Sequence, residues 1–354
     1  DDTSGLNEDG CCDDVVMGCD GVCGSGDNSC HDNGDYSLSF DGLDDFIFLD
    51  TDVEIQNVNG ITIAADLYPT STPYSESFKV ILDLSDWEEN NDTQGADRLI
   101  LVISENNKWC LNGHGGNNIN EEFSVCSIED VKFNEWTNIK AFIDFENSIL
   151  KLYINGILAN ESETEVTSIS IEPTLNSESK KIGMRAFAQP NTGSNFSGAI
   201  DFIAIYKDIL ENEYLTEDNA ADYNPYLLYK FNESSGAKVY DYSSGFNGDI
   251  VNMNDPWTLN VQGCIDSLGC NYNPDANFND GSCDYSCYDN GDYSLSFDGI
   301  DDYVASTNIH ELSGTEATYT ISLWTKLLND EGSQILWTYD GNDVGETNDI
   351  YMYW

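Results

Sequence analysis

The eleven residues Asp32–Gly42, "DNGDYSLSFDG", recur unchanged at Asp289–Gly299, 257 residues further on. A duplication at that distance makes the repeating unit a whole domain rather than a short solenoid turn, and it divides the chain before any element is assigned. Within the first period three textures alternate. Residues 1–31 are rich in Gly, Asp and Cys, and residues 259–288 return to Cys, Asp and Asn. Residues 32–258 between them carry the apolar periodicity, and residues 289–354 restart it. The expected order is spacer, domain, spacer, and the N-terminal part of a second domain whose remaining strands are expected beyond Trp354.

The periodic segments are short and alternate with period two, the mark of half-buried strands. "YSLSF" puts Tyr36, Leu38 and Phe40 on one face; "FIFL" (46–49), "ITIAADLY" (61–68), "FKVILDL" (78–84), "RLILVIS" (98–104) and "WTNIKAFIDF" (136–145) follow. "ILKLYINGILA" (149–159) contains Asn155-Gly156, a strong hairpin signal. Only "DILENEYLTED" (208–218) has helical spacing, and one short helix is expected there. Many short strands with turns between them predict an all-β, two-sheet sandwich or jelly roll, flanked by loop-dominated, disulfide-rich spacers.

Charge narrows the function classes. The chain has 65 acidic and 13 basic residues, a net charge of −52, which leaves too few cations for phosphate recognition and excludes a nucleic-acid partner. The self-repulsion of such a chain is relieved where oxygen-rich loops take up calcium. No apolar run reaches the length of a spanning helix. Eleven cysteines, three histidines and four Asn-x-Ser/Thr triplets (Asn91, Asn160, Asn195, Asn232, the glycosylation candidates) point to an oxidising, extracellular setting, secreted or at the cell surface.

The residues "YSLSFDGLDDFIFL", "WTNIKAFIDFENSILKLYINGIL" and "FSGAIDFIAIYKDIL" resemble, in order, the opening, middle and closing strands of laminin-G-like domains of the concanavalin A-like superfamily. "GCIDSLGCNYNPDANFNDGSC" (263–283) resembles the calcium-binding spacers of the thrombospondin type 3 kind found in large secreted bacterial proteins. The resemblance implies a jelly roll with a structural calcium near its first and last strands, and glycan or protein binding at a rim or concave face. Asp201 would supply that ion with a carboxylate and the Asp41-Gly42 turn with an oxygen; Asp44 and Asp45 are weaker candidates.

In the second spacer, Asn273, Asp275 and Asn277 stand at alternate positions, followed by Asn279 and Asp280, with Asp284 eleven residues after Asn273. This imitates an EF-type calcium loop, although Phe278 replaces the turn glycine and an aspartate closes it. The competing reading is a solvated linker of Asx-turns. Cys110 and Cys126 flank one loop of the sandwich and are expected to bridge; Cys264, Cys270, Cys283 and Cys287 form an even set with three possible pairings. Zinc at Cys19/Cys23 or Cys283/Cys287 is the alternative, disfavoured by the setting. With an ion and two bridges, this spacer is expected to be a rigid joint between successive sandwiches.

Catalysis is not expected. In "FIDFE", Asp144 and Glu146 match the carboxylate strand of related glycoside hydrolases, but Phe142 stands where the first glutamate belongs. His31, His114 and His310 are scattered. Trp87, Trp109, Tyr74 and the loop "NGHGGNN" (112–118) are candidates for glycan contacts. The sequence thus reads as a non-catalytic, calcium- and disulfide-stabilised repeat module of a cell-surface adhesin or extracellular filament, whose partners are neighbouring repeats, copies of itself or surface glycans. The alternative is a carbohydrate-binding module of a secreted polysaccharide-degrading enzyme.

Overall fold

The computed structural model describes residues 19, 21–23, 28–70, 78–85, 97–115, 121–174, 177–186, 194–279, 281–288, 293–298, 300, 302–304, 322–326, 335–339 and 350–353. The chain divides into two compact units, Asp1–Tyr288 and Asp289–Trp354.

In the first unit two antiparallel sheets face each other. The first contains β1 (Tyr36–Asp41), β3 (Gly60–Pro69), β8 (Thr137–Asp144), β9 (Ile149–Ile154), β10 (Ile157–Glu163), β12 (Ser197–Tyr206) and β16 (Trp257–Leu259). Its order is β10-β9-β8-β3-β12-β1-β16, and β13 (Leu227–Tyr229) also pairs with β12. The second runs in the order β14 (Lys238–Val239), β15 (Gly248–Val251), β2 (Phe46–Leu49), β11 (Lys180–Ile182), β4 (Lys79–Ser85), β5 (Arg98–Ile103), β6 (Trp109–His114), β7 (Glu122–Cys126). This is the expected all-β sandwich. The strand alternation supplies its core: Leu38, Ile63, Leu82, Leu101 and Ile139 point inward from five strands and are at most 1% exposed.

The Asn155-Gly156 hairpin forms as its sequence predicts, with φ of 50° and 78° at the two turn residues joining β9 to β10. The helix expected over 208–218 does not form. That segment lies as irregular chain over the outer face of the first sheet, where Leu215 packs with Phe202, Ala204 and Tyr206. Buried Lys140 explains the difference. Its Nζ donates to the carbonyls of Leu210, Glu211 and Glu213 at 2.7–2.8 Å, drawing backbone acceptors out of any helical ladder.

The second spacer belongs to the same compact unit as the sandwich. β17 (Gln262–Gly263) pairs in parallel with β18 (Phe278–Asn279), and disulfides join Cys264 to Cys283 and Cys270 to Cys287. Phe278 rests 5.3 Å from the ring of Trp136, which itself lies 5.5 Å from Tyr68.

In the second unit β19 (Ile335–Tyr339) and β20 (Ile350–Tyr353) form a hairpin-like antiparallel pair. The repeated segment 293–298 is exposed and joins no sheet there. Its following turn nevertheless repeats that of the first copy. Asp298 N donates to Asp302 Oδ2 and Ile300 N to Asp298 Oδ1, as Asp41 N does to Asp45 Oδ2 and Leu43 N to Asp41 Oδ1. The turn is therefore written in its local sequence.

Candidate functional site

Alternate residues of β5, β6 and β7 that do not face the core line an open groove of about 540 Å³ on the outer face of the second sheet. Phe78, packed over the buried Ile100 and Val102, gives it an apolar floor; Arg98, Asn112 and Ser124 supply polar groups. The chain's two arginines meet here. The Arg98 fork clasps fully buried Asp83, with Nε 2.9 Å from Oδ1 and Nη2 on Oδ2. The Arg185 guanidinium stands 5.4 Å from the centre of the Phe78 ring. Ser124 Oγ donates to Asn112 Oδ1 at 2.7 Å. Flat apolar surface beside a fixed array of hydrogen-bonding groups can hold the faces and hydroxyls of a sugar.

The structure places the expected glycan residues unevenly. Asn112, Gly113 and His114 line the groove, whereas Trp109 is in the core. Trp87, Tyr74, His310 and residues 116–120 lie outside the described residues. His31 stacks on Tyr240 at 3.5 Å. Asp144 and Glu146 belong to the other sheet and its turn, and the Asp144 carboxylate accepts from Asn147 N and Nδ2.

Asp201 and Asp41 do not share a site. Asp41 is paired with Ser197, whereas Asp201 is the extra residue of a β-bulge between Ile200 and Phe202, beyond the Leu38–Ile200 pair. Each joins a different group of three carboxylates: Asp35, Asp201 and Glu217 in one, Asp41, Asp44 and Asp45 in the other. Within each group one oxygen from every member lies within 4.8 Å of the others. Burial, followed by repulsion from Glu217, Asp66 and Asp35, pushes Asp201 up to about 9. Burial likewise raises Glu217 to about 7 and Asp45 to about 6. Asn260, at the start of the outgoing chain, donates to Asp35 Oδ1 at 2.8 Å and to Asp201 Oδ1 at 2.5 Å. Three hard oxygen donors held together against their repulsion fit a divalent cation such as calcium.

The spacer oxygens are placed differently. Asn273, Asn279 and Asp284 each accept the backbone N–H two residues on, and Asn277 Oδ1 accepts Val261 N. The first three are Asx-turns, whereas the Asn277 contact reaches back sixteen residues. Asp275 donates its backbone N–H to one of them, and Asp280 lies outside the described residues.

Cys110 and Cys126 face each other across β6 and β7, Cα atoms 4.1 Å apart, and are joined as expected. A Cys19–Cys30 bridge is also formed. Among the triplets, Asn195 and Asn232 are buried and their Nδ2 groups donate to Leu43 O and Glu217 Oε1, which leaves no space for a sugar on either. Asn160 donates to Cys126 O, and Asn91 lies outside the described residues. Sequence reasoning missed Asp35, Glu217, Asn260 and both arginines. The arginines carried a signal, because so rare a cation in so acidic a chain marks a place with a use.

The fold is that of an all-β, two-sheet antiparallel sandwich. Residues 41–215 match the laminin G family model described as "Concanavalin A-like lectin/glucanases superfamily". Among solved structures, the chain is similar to a Bacteroides ovatus protein provisionally described as carbohydrate-binding, at 15% identity and TM-score 0.45, over 64% of this chain and 59% of that one. It is also similar to the CBM40 domain of Ruminococcus gnavus IT-sialidase bound to α2,3 sialyllactose (16%, TM-score 0.39, 52% and 94%). Domains LG4-5 of the mouse laminin α1 chain show a further likeness (10%, TM-score 0.34, 51% and 44%). No curated protein matches the sequence. Among the described residues no helix is long and apolar enough to cross a membrane.

Proposed function

We propose that the sandwich is a non-catalytic, saccharide-binding module of an extracellular repeat protein that works in adhesion. The observation that carries this reading is the groove, in which apolar floor, guanidinium, amide and hydroxyl lie side by side on one sheet face. Its two lining carboxylates argue against hydrolysis. Glu122 stands opposite His114, which pairs with Arg98, while Glu105 follows Ile103 at the other end of β5. Five residue steps along β5, about 16 Å, separate those ends, beyond the roughly 5–9.5 Å of a glycosidase pair. The disulfides support the extracellular setting, and the repeat at 257 residues favours an adhesin over a single module tethered to an enzyme.

Calcium would be held by Asp35, Asp201 and Glu217, where it supplies the charge that lets three buried carboxylates ionise together. Asp35 precedes β1, Asp201 lies in β12 and Glu217 in the covering segment, so the ion would tie these three pieces.

Calorimetric titration of the full chain with a panel of oligosaccharides tests the reading. At least one should bind with micromolar to millimolar affinity, and Asn112→Ala or Phe78→Ala should weaken it about tenfold while leaving the melting temperature of the sandwich within a few degrees. Absence of binding across the panel, or binding indifferent to both changes, would sink it.

A further inference from the structure

Arg185 is brought to the groove by the turn that follows β11. Gly183 is required there, because φ is 86° and a Cβ would stand 2.5 Å from the Phe40 ring. Beyond the turn, Ala186 N donates to Asp83 Oδ2 at 2.8 Å, which pins the segment against β4. Arg98 already holds both oxygens of that carboxylate, Nε on Oδ1 and Nη2 on Oδ2. Asp83 is fully buried, so its negative charge is spent inside this clasp. Two guanidinium groups therefore stand near a single satisfied carboxylate, and one positive charge is left over.

That charge resides on Arg185. Among the described residues it enters neither an ion pair nor a hydrogen bond, although the chain carries 65 acidic residues. Its guanidinium lies over Phe78, 5.4 Å from the ring centre, at the groove's apolar floor. Burial and repulsion from Arg98 lower its pKa, with Asp83 opposing them, yet a guanidinium stays charged at any physiological pH. Hydrogen bonds are stronger where water is partly excluded, and the planar fork of N–H donors matches the paired oxygens of an anion. The rest of the groove limits how much negative charge a ligand can carry. Glu105 and Glu122 both line it, and Glu122 is on β7, three strand spacings or about 14 Å from β4. A ligand charged at every unit would set anions against these glutamates, whereas Asn112 and Ser124 suit neutral hydroxyls. We propose that the ligand is an oligosaccharide carrying a single acidic group, a carboxylate or a sulfate, which Arg185 holds beside Phe78 while neutral sugar units occupy the groove towards β7. This specificity rests on the saccharide-binding reading of the groove.

The test is calorimetric titration of the full chain, in physiological salt, with oligosaccharides built on galactose, xylose and N-acetylglucosamine. Each is supplied in four forms: neutral, with one carboxylate, with one sulfate, and persulfated. For at least one backbone a singly charged form should bind at least about tenfold more tightly than its neutral parent, the worth of one charged hydrogen-bonded contact. The persulfated form should gain nothing further, and the carboxylate and sulfate arms show which group is preferred. Arg185→Gln should erase the difference between charged and neutral forms. Its melting temperature should stay within a few degrees of wild type, since Arg185 is exposed and joins no ion pair. Arg185→Lys keeps the charge without the fork and should retain part of the preference. Neutral forms that bind as tightly as their charged counterparts would overturn the proposal while leaving the groove a saccharide site. So would an acidic preference that survives Arg185→Gln, or tightest binding by the persulfated forms. Failure of every form to bind would remove the saccharide reading itself, and this specificity with it.

Discussion

Glu233 is 3% exposed, and only one of its carboxyl oxygens is satisfied: Oε1 accepts Tyr240 N at 2.9 Å, and Oε2 has no hydrogen-bond partner. Burial raises its pKa from 4.5 to about 7, against the smaller opposing effect of the backbone donors. The folded protein thus binds a proton that the unfolded chain has already released. Its contribution to stability is complete below about pH 4.5 and is lost as pH rises through 7. The size is at most about 3 kcal/mol. Asp241 shows the contrasting solution: although wholly buried, its carboxylate accepts from Leu228, Ser243, Ser244 and Phe246 backbone N–H groups and from Ser243 Oγ. Glu233→Gln should remove the pH-dependent component, and urea unfolding of both proteins between pH 4.5 and 8 measures it. Parallel stability profiles for the two would refute the assignment.

Among the elements, Lys140 decides the form of the segment that covers the first sheet. It is 4% exposed and spends all three ammonium donors on the carbonyls of Leu210, Glu211 and Glu213. Lys140→Met keeps much of the volume but strips three carbonyls of their donor. It should cost about 2–4 kcal/mol and open residues 208–223 to proteolysis before the sandwich itself is cut; a digestion pattern equal to wild type would count against this role. No local pattern announces such a pin, which is why the apolar spacing of 208–218 reads as a helix. The strands were legible because their signals are local: Phe46–Leu49 is bounded by turn residues, and Asn155-Gly156 accepts the positive φ of a two-residue hairpin. The groove was not. β5 is buried at five of its six positions, since Ile100 and Val102 are covered on the outer face by Phe78 and the Cys110–Cys126 bridge, so alternation cannot tell its two faces apart. The bulge at Asp201 was equally hidden, because which residue a ladder skips is settled by pairing across the sheet.

For the first unit as a whole, the consequential finding is that its spacer is seated on the sandwich. β1 pairs with β16 through Tyr36–Leu259, so the chain enters and leaves the sandwich side by side. From there Gln262 Nε2 donates to Asp35 Oδ2, Asn277 Nδ2 to Leu259 O, and the Phe278 ring meets Trp136. The two disulfides fix the spacer's internal shape, while these contacts fix its position. An aromatic contact of this kind contributes about 0.5–1.5 kcal/mol beyond the area it buries, enough to hold a cross-linked segment that has little conformational freedom left to lose. Disulfides and ion ligation together were the expected sources of rigidity; the two bridges are formed, and Asn273, Asn279 and Asp284 each place an oxygen on a backbone donor in their own turns. Ion ligation and the seat on Trp136 separate experimentally. Hydrogen exchange on the full chain should show β17 and β18 protected in calcium and still protected after chelation. Phe278→Ala should raise exchange across 262–279 by about three- to tenfold, matching the loss of roughly 0.5–1.5 kcal/mol, while β3, β8 and β12 keep their protection. If chelation alone deprotected the spacer and Phe278→Ala did not, calcium would be what holds the joint, and the seat on Trp136 would be incidental.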